Sequence, residues 1–295
     1  MRRIKWMIRG LGQRLAPQLT LAVLARRSWL HEPEIVLLPH LADARTTAID
    51  AGANKGIYTH HLRRRYARVV AFEPLPQMAR ALARAAPRTE VHQIALSDQH
   101  GTARLTLPVG FNELGSIETA VKSQTAVAGP LEAHDVTVKP LDSFAFDNVG
   151  LLKIDVEGHE LAVLDGARGL IASCKPTVLV EVEERHRVGN VDAVRRYFDG
   201  HDYEGFYLDG HRFRSLRDFD LVRDQPAAAV VGAVKTSRYI NNFIFIHRDR
   251  AQERSVMINR WLANTRAERE RAQLGGWRNA FARLAPLGWL ATPRS

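Results

Sequence analysis

Acidic side chains recur at one kind of place along this chain, at or just past an apolar run: Asp50, Glu73, Ser97-Asp98, Asp155 and Glu181. Carboxylates presented in this way can accept from hydroxyls, hold a cation or move a proton. Asp50 stands in Ala48-Ile49-Asp50-Ala51-Gly52-Ala53-Asn54-Lys55-Gly56, which reads as a buried strand ending in a glycine turn that opens a helix. Further on, Val69-Val70-Ala71-Phe72-Glu73-Pro74 reads as a second strand ending in one acid. Gly52 and Gly56 let backbone N–H groups approach a ligand closely, and Glu73 can accept from both hydroxyls of a ribose. Together the two pieces form a device for holding an adenosine-bearing ligand.

The spacing discriminates among such ligands. A dinucleotide site uses G-x-G-x-x-G with the pyrophosphate on the helix N-terminus. Here the pattern is D-x-G-x-x-x-G, and Ile57-Tyr58 after Gly56 excludes the Lys-Ser/Thr of a nucleotide P-loop. An acid before the first glycine repels phosphate and tolerates a cation, so the pattern fits S-adenosylmethionine. Gly52, Ala53, Asn54 and Gly56 then flank the methionine part, and Asp50 orients the loop. Pro74 and Leu96 are placed to sandwich the adenine, and Ser97 or Asp98 to bond its exocyclic amine.

A third piece carries the candidate catalysts. Leu151-Leu152-Lys153-Ile154-Asp155-Val156-Glu157-Gly158-His159-Glu160 is an apolar strand breaking into an acid-rich turn. Methyl transfer to a hydroxyl needs alignment and removal of one proton. Asp155, Glu157 and His159 are the candidates, His159 with an ordinary pKa near 6.5. Asp155 also borders the cofactor turn. Asp155, Glu157 and Glu181 or Glu183 are hard oxygen ligands that leave Mg²⁺ open, although the chemistry does not require it.

Ligands of open α/β sheets lie at the carboxyl ends of the strands, so the elements must deliver these residues to one edge. The pattern predicts strands at 46–51, 68–73, 90–96, 135–139, 150–155, 177–182, 203–208 and 240–246, with a hairpin at 101–107. Helices are expected at 56–66, 75–86, 160–171 and 190–199, and 108–134 reads as a loop. Alternating strands and helices imply a mainly parallel, doubly wound α/β sheet.

In their order, IDAGANKG (Ile49–Gly56), VVAFEP (Val69–Pro74), IALSD (Ile94–Asp98), GTARL (Gly101–Leu105) and LLKIDVEGHE (Leu151–Glu160) resemble the FkbM-type methyltransferases, over roughly 45–185. The resemblance implies a Rossmann-like class I methyltransferase fold with a seven-stranded sheet. It also implies S-adenosylmethionine as cofactor, and a hydroxyl acceptor on a sugar, glycolipid, polysaccharide or secondary metabolite. The alternatives are a catalytically silent S-adenosylmethionine-binding module of the same fold and an NAD-dependent oxidoreductase. Retention of both turns speaks against the first, and the glycine spacing against the second.

Charge separates the ends from the middle. The net charge is +10, but residues 1–30 contribute +7 and residues 250–295 contribute +6, leaving the middle at −3. A slightly acidic centre argues against a nucleic-acid partner in a basic groove. The sequence divides into a basic amphipathic arm at 1–33, a methyltransferase domain at 34–249 and a basic helical tail at 250–295. In the arm, Met1, Ile4, Met7, Ile8, Leu11 and Leu15 recur at helical spacing among arginines. Both ends suit contact with an anionic membrane surface or a subunit. The single Cys174 excludes an intramolecular disulfide, and no apolar run is long enough to span a bilayer. The expectation is a cytoplasmic protein, with peripheral contact at the inner membrane surface open.

Overall fold

The computed structural model describes residues 16–26, 28–108, 131–231, 234–235 and 238–274. Short runs rich in Val, Ile, Leu and Ala make the central strands: Thr47–Ala51 (β1), Arg68–Phe72 (β2), Glu90–His92 (β3), Val149–Ile154 (β7), Thr177–Glu181 (β8) and Asn242–His247 (β13). Ala95–Leu96 (β4), Gly101–Pro108 (β5) and Leu131–Lys139 (β6) form a separate three-stranded sheet in the order β4-β6-β5. Tyr203–Asp209 (β9) and Arg212–Ser215 (β10) complete the main sheet, and Val230–Val231 (β11) pairs with Val234–Lys235 (β12) in a small ribbon.

The main sheet has eight strands in the order β10-β9-β13-β8-β7-β1-β2-β3. Five of them, β3 to β8 in that order, run parallel, and β13 runs antiparallel between β8 and β9. The expected seven strands are therefore corrected to eight. The additional edge strand, β10, folds back on β9 through the left-handed Gly210.

Both faces of the sheet are covered, as continuous apolar strands require. On one face Ile49, Val70, Leu152, Ile154 and Val178 pack with helices Glu160–Asp165 and Arg168–Cys174 and with Asn190–Asp199. On the other, Ala48, Val69, Leu151, Leu179 and Ile244 meet Ile35, Leu37, Leu38 and Leu41. Ala251, Ile258 and Leu262 of the long helix Arg248–Leu274 join that second cluster, so the start of the basic tail is part of the domain core. Helix Pro17–Ala25, within the sequence-defined arm, likewise buries Leu21 against Ala53, Leu82 and Ala86. The amphipathic stretch 1–15 and the tail beyond Leu274 lie outside the described residues.

Several boundaries differ from the sequence expectation. The expected strand 90–96 divides between two sheets. The expected hairpin 101–107 is one strand, β5, which pairs antiparallel with β6. Strand β6 starts at Leu131 rather than 135, shortening the expected loop, of which 109–130 lies outside the described residues. Helix 56–66 ends at Leu62. The expected helix 160–171 breaks in two because Gly166 lies against Ser97, where a Cβ would meet the Ser97 carbonyl oxygen at 1.9 Å. Asp142 then caps the second piece, its carboxylate accepting from the N–H groups of Gly169 (2.8 Å) and Leu170 (2.9 Å). Among the described residues no helix is long and apolar enough to cross a membrane.

Candidate active site

The strand order reverses between β1 and β7, and a crevice at such a switch point is where open α/β sheets take ligands. The glycine turn leaves β1 there. Gly52 has φ +78°, and a Cβ on it would lie 1.9 Å from the Asp155 carbonyl oxygen. Only glycine lets the two turns, after β1 and after β7, close on each other. The register is fixed by Asp50 opposite Lys153 and by the Asp155 N–H donating to the Ala51 carbonyl at 3.0 Å. Asp50 is buried and accepts from the Thr59 hydroxyl at 2.6 Å, which ties β1 to the following helix Ile57–Leu62. Burial raises its pKa, with Lys153 and Thr59 opposing.

Glu73 reaches the same crevice from the end of β2. It is buried, and its carboxylate accepts the Asn54 N–H at 2.8 Å and the Leu75 N–H at 2.9 Å. Burial lifts its pKa to about 7 against those two bonds. Each carboxylate oxygen has a second lone pair, so accepting capacity remains. Asn54 has φ +47° and its side-chain oxygen is buried with no hydrogen-bond partner.

The acid-rich turn after β7 is held by Lys153 and by loop residues farther along the chain. Lys153 is fully buried, lies 4.7 Å over the Tyr58 ring and pairs with Asp155 at 2.8 Å. Burial disfavours its charge, yet Asp155, Glu181 and Asp50 outweigh that and hold its pKa above the ordinary value. Glu157 adopts φ +51° and pairs with His186 at 2.9 Å. Burial lowers the His186 pKa, and Glu157 more than reverses the effect. Glu160 is buried, accepting from the Gly158 N–H and the Asn190 amide at 2.8 Å each, with its pKa lifted by burial to about 7. His159 Nε2 lies 2.8 Å from the Ser97 hydroxyl, which donates to Asp98 at 3.0 Å. That contact joins the end of β4 to the acid-rich turn.

Beside this turn, the ends of β8 and β13 add a polar rim. Asn241 donates to both Glu181 and Glu183, and Glu183 also accepts from Arg185 and, at 2.8 Å, from the Tyr239 hydroxyl. Burial opposes the Glu183 charge, but Arg185 and its other donors bring its pKa to about 2. Glu32 accepts from Tyr58 at 3.3 Å and from Asn242 at 3.2 Å. Burial and the charges of Glu32, Glu34, Glu181 and Asp155 keep the Tyr58 phenol protonated.

The structure thus gathers Asp50, Gly52, Ala53, Asn54, Glu73, Asp155, Glu157, His159, Ser97 and Asp98 at one edge. Gly56 lies at the base of the helix after the turn and Pro74 follows Glu73, while Leu96 is buried in the main core, 3% exposed. Asp155, Glu157 and Glu181, the set open to Mg²⁺, are directed to Lys153, His186 and Asn241 respectively. Among the described residues no group of three or more such side chains forms a metal-binding cluster. Sequence reasoning passed over Glu160, His186 and Asn241. Their signal was polarity just beyond an apolar run, shared by most loop residues. A separate cleft of about 450 Å³ is lined by Lys175, His201, Asp202, His247, Arg248 and Asp249 and includes none of the candidate site residues.

Two buried carboxylates with raised pKa values give a pH dependence of known sign. Glu73 and Glu160 bind protons more tightly in the folded chain than in the unfolded one. Stability should therefore fall as pH rises from about 4.5 to about 7 through these two groups. Glu73→Gln should flatten part of that slope in thermal unfolding followed across this range. An identical slope in the variant would refute the raised pKa.

An eight-stranded, mainly parallel sheet with a glycine turn and a strand-end acid beside its switch point places the chain among the doubly wound α/β proteins. The chain belongs to the methyltransferase FkbM domain family, which matches residues 50–204. Methyltransferase sdnD of Sordaria araneosa is 32% identical over 154 residues, covering 40% of this chain and 59% of that relative. The chain therefore spans less than two thirds of that relative's length. Among solved structures, methyltransferase FkbM of Methylobacillus flagellatus KT is 18% identical with a TM-score of 0.45, covering 68% of this chain and 44% of its own. An rRNA methylase of Streptococcus thermophilus is 12% identical with a TM-score of 0.40, covering 74% and 95%.

Proposed function

We propose that this FkbM-family methyltransferase uses S-adenosylmethionine to methylate a hydroxyl of a sugar, a glycolipid or polysaccharide, or a secondary metabolite. The observation that carries the reading is the approach of Gly52 to the Asp155 carbonyl, which sets the ligand turn against the acid-rich turn. The residues present fit the cofactor. Glu73 would accept from the ribose hydroxyls, Ser97 and Asp98 would meet the adenine amine, and the Gly52–Asn54 backbone and the orphaned Asn54 oxygen would border the methionine part. When bound, the cofactor supplies a methyl group on a sulfonium. The surrounding carboxylates favour that cation, as they would not favour a pyrophosphate.

The chain's own residues then have distinct tasks. Lys153 neutralises and fixes Asp155, which positions the turn more than it removes protons. Glu157, backed by His186, is the group to take the acceptor's hydroxyl proton, because an acid–imidazole pair can share it near neutral pH. His159 links that turn to Ser97. Asn241, Tyr239 and Glu32 add polar groups to the rim beside the turn, where a hydroxylated acceptor would meet them. The reading includes a cytoplasmic enzyme, and the net −3 of the middle of the chain supports the further expectation of no nucleic-acid partner.

Calorimetric titration with S-adenosylhomocysteine and with NADH should show binding of the first only. Labelled methyl groups should then pass from S-adenosylmethionine to extracted envelope glycans or lipids. Binding of NADH instead, or no transfer to any hydroxylated extract, would refute the reading.

A further inference from the structure

Away from the site, one outer face combines features that folding leaves unused. Helix Pro17–Ala25 buries Leu21 and Ala25 and turns the opposite side outward, where Leu19 is 66% and Val23 57% exposed. With Arg26 these fall at i, i+4 and i+7 on one stripe. The chain continues into Trp29 and Leu30, 50% and 58% exposed, beside Ser28, whose hydroxyl lies 3.0 Å from buried His61. Four large apolar side chains are exposed between Leu19 and Leu30, a local concentration rather than scattered single residues.

The surroundings of that patch are cationic. The helix packs against Ile57–Leu62 and Pro76–Ala85. Arg63 to Arg65 follow the first of these helices, and exposed Arg80, Arg84 and Arg88 lie on or after the second. Residues 1–31 contain no acid, and between Asn54 and Arg88 the single acid is Glu73, buried in the site. The positive field is felt locally: burial and the neighbouring Arg64, Arg63 and Arg65 bring His60 to a pKa of about 4. The preceding residues 1–15 add Arg2, Arg3, Lys5, Arg9 and Arg14 in the sequence.

We propose that this face, Leu19, Val23, Trp29 and Leu30 with the arginines of the adjoining helices, docks the protein on an anionic lipid bilayer. Each half of the surface matches one layer of that partner. Apolar side chains and a tryptophan enter the headgroup boundary, and arginines meet the lipid phosphates while their stems cover apolar surface. A nucleic acid would engage the arginines and leave the apolar stripe in water. An uncharged protein groove would engage the stripe and leave the cations without partners. Because Leu21 on the inner side of the same helix packs with Ala53 of the glycine turn, the docking face backs directly onto the proposed cofactor site.

The test is flotation of the full chain with phosphatidylcholine vesicles, with and without phosphatidylglycerol, at low salt. Partition should be at least about tenfold stronger with the anionic lipid and should weaken as salt rises. Combined L19S, V23S, W29S and L30S should cut partition by about tenfold, and R84Q with R88Q should cut it and flatten its salt dependence. An unchanged thermal midpoint in each variant shows that the domain remains folded. No flotation with anionic vesicles, or flotation of the four-site variant equal to the parent, would overturn the proposal. RNA binding that the arginine variant loses and the four-site variant keeps would give the face to a nucleic acid instead. A dimer that the four-site variant dissociates, without flotation, would give it to a second copy.

Discussion

Glu73→Ala should weaken S-adenosylhomocysteine binding by about 2–3 kcal/mol, because a charge-assisted bond to two ribose hydroxyls is lost. That corresponds to roughly thirty- to a hundred-and-fifty-fold in dissociation constant. The structure adds a second reason for a large effect. The same carboxylate accepts the N–H groups of Asn54 and Leu75, so its removal leaves two donors of the ligand turn without an acceptor. Glu73→Gln distinguishes the two causes. It keeps an oxygen for one backbone donor but removes the charge, so its loss of affinity should be smaller than that of alanine. Calorimetry on both variants is the check, and an unchanged dissociation constant for Glu73→Ala would end the assignment of Glu73 to the ribose.

The legibility of this site in the sequence followed from its chemistry. Glycines that must adopt positive φ beside a strand end, and an acid terminating the next strand, are local features with few alternative residue types. The positions of Asp50, Gly52, Glu73 and Asp155 at or beside strand ends could therefore be read from the sequence, and so could the alternation that winds the sheet. What the sequence hid depends on contacts between distant segments. Lys153 reads as a lysine at the strand's edge or paired with one acid, and the fold brings three around it: Asp50 of β1, Asp155 just past β7 and Glu181 of β8. His186 is a loop histidine until it meets Glu157, 29 positions earlier in the chain. The split of the helix after Glu160 could not be read either. It arises because Gly166 fits under Ser97, and because Asp142, 27 residues before Gly169, caps the second piece. The short strand β4 was lost inside a longer apolar run because its partner is β6, far along the chain.

Glu157→Gln should lower turnover by about 10²- to 10⁴-fold, the range for removal of a general base, while leaving cofactor affinity near that of the parent. Glu157 pairs with His186 and with none of the residues assigned to ribose or adenine, so its charge should bear on the acceptor's proton. Asp155→Asn should also reduce turnover strongly, but through a different link. Its carboxylate is the partner of a fully buried ammonium, and breaking such a pair costs about 3–5 kcal/mol when nothing replaces it. Glu181 and Asp50 also face Lys153, which puts the expected loss at the lower end, and asparagine keeps an oxygen for the bond. Asp155→Asn should therefore lose both stability and rate, and Glu157→Gln rate alone. Urea unfolding paired with methyl incorporation into the accepted glycan or lipid separates the two. If both variants transfer methyl groups at the parent rate, the acid-rich turn is structural and the hydroxyl proton leaves by another route.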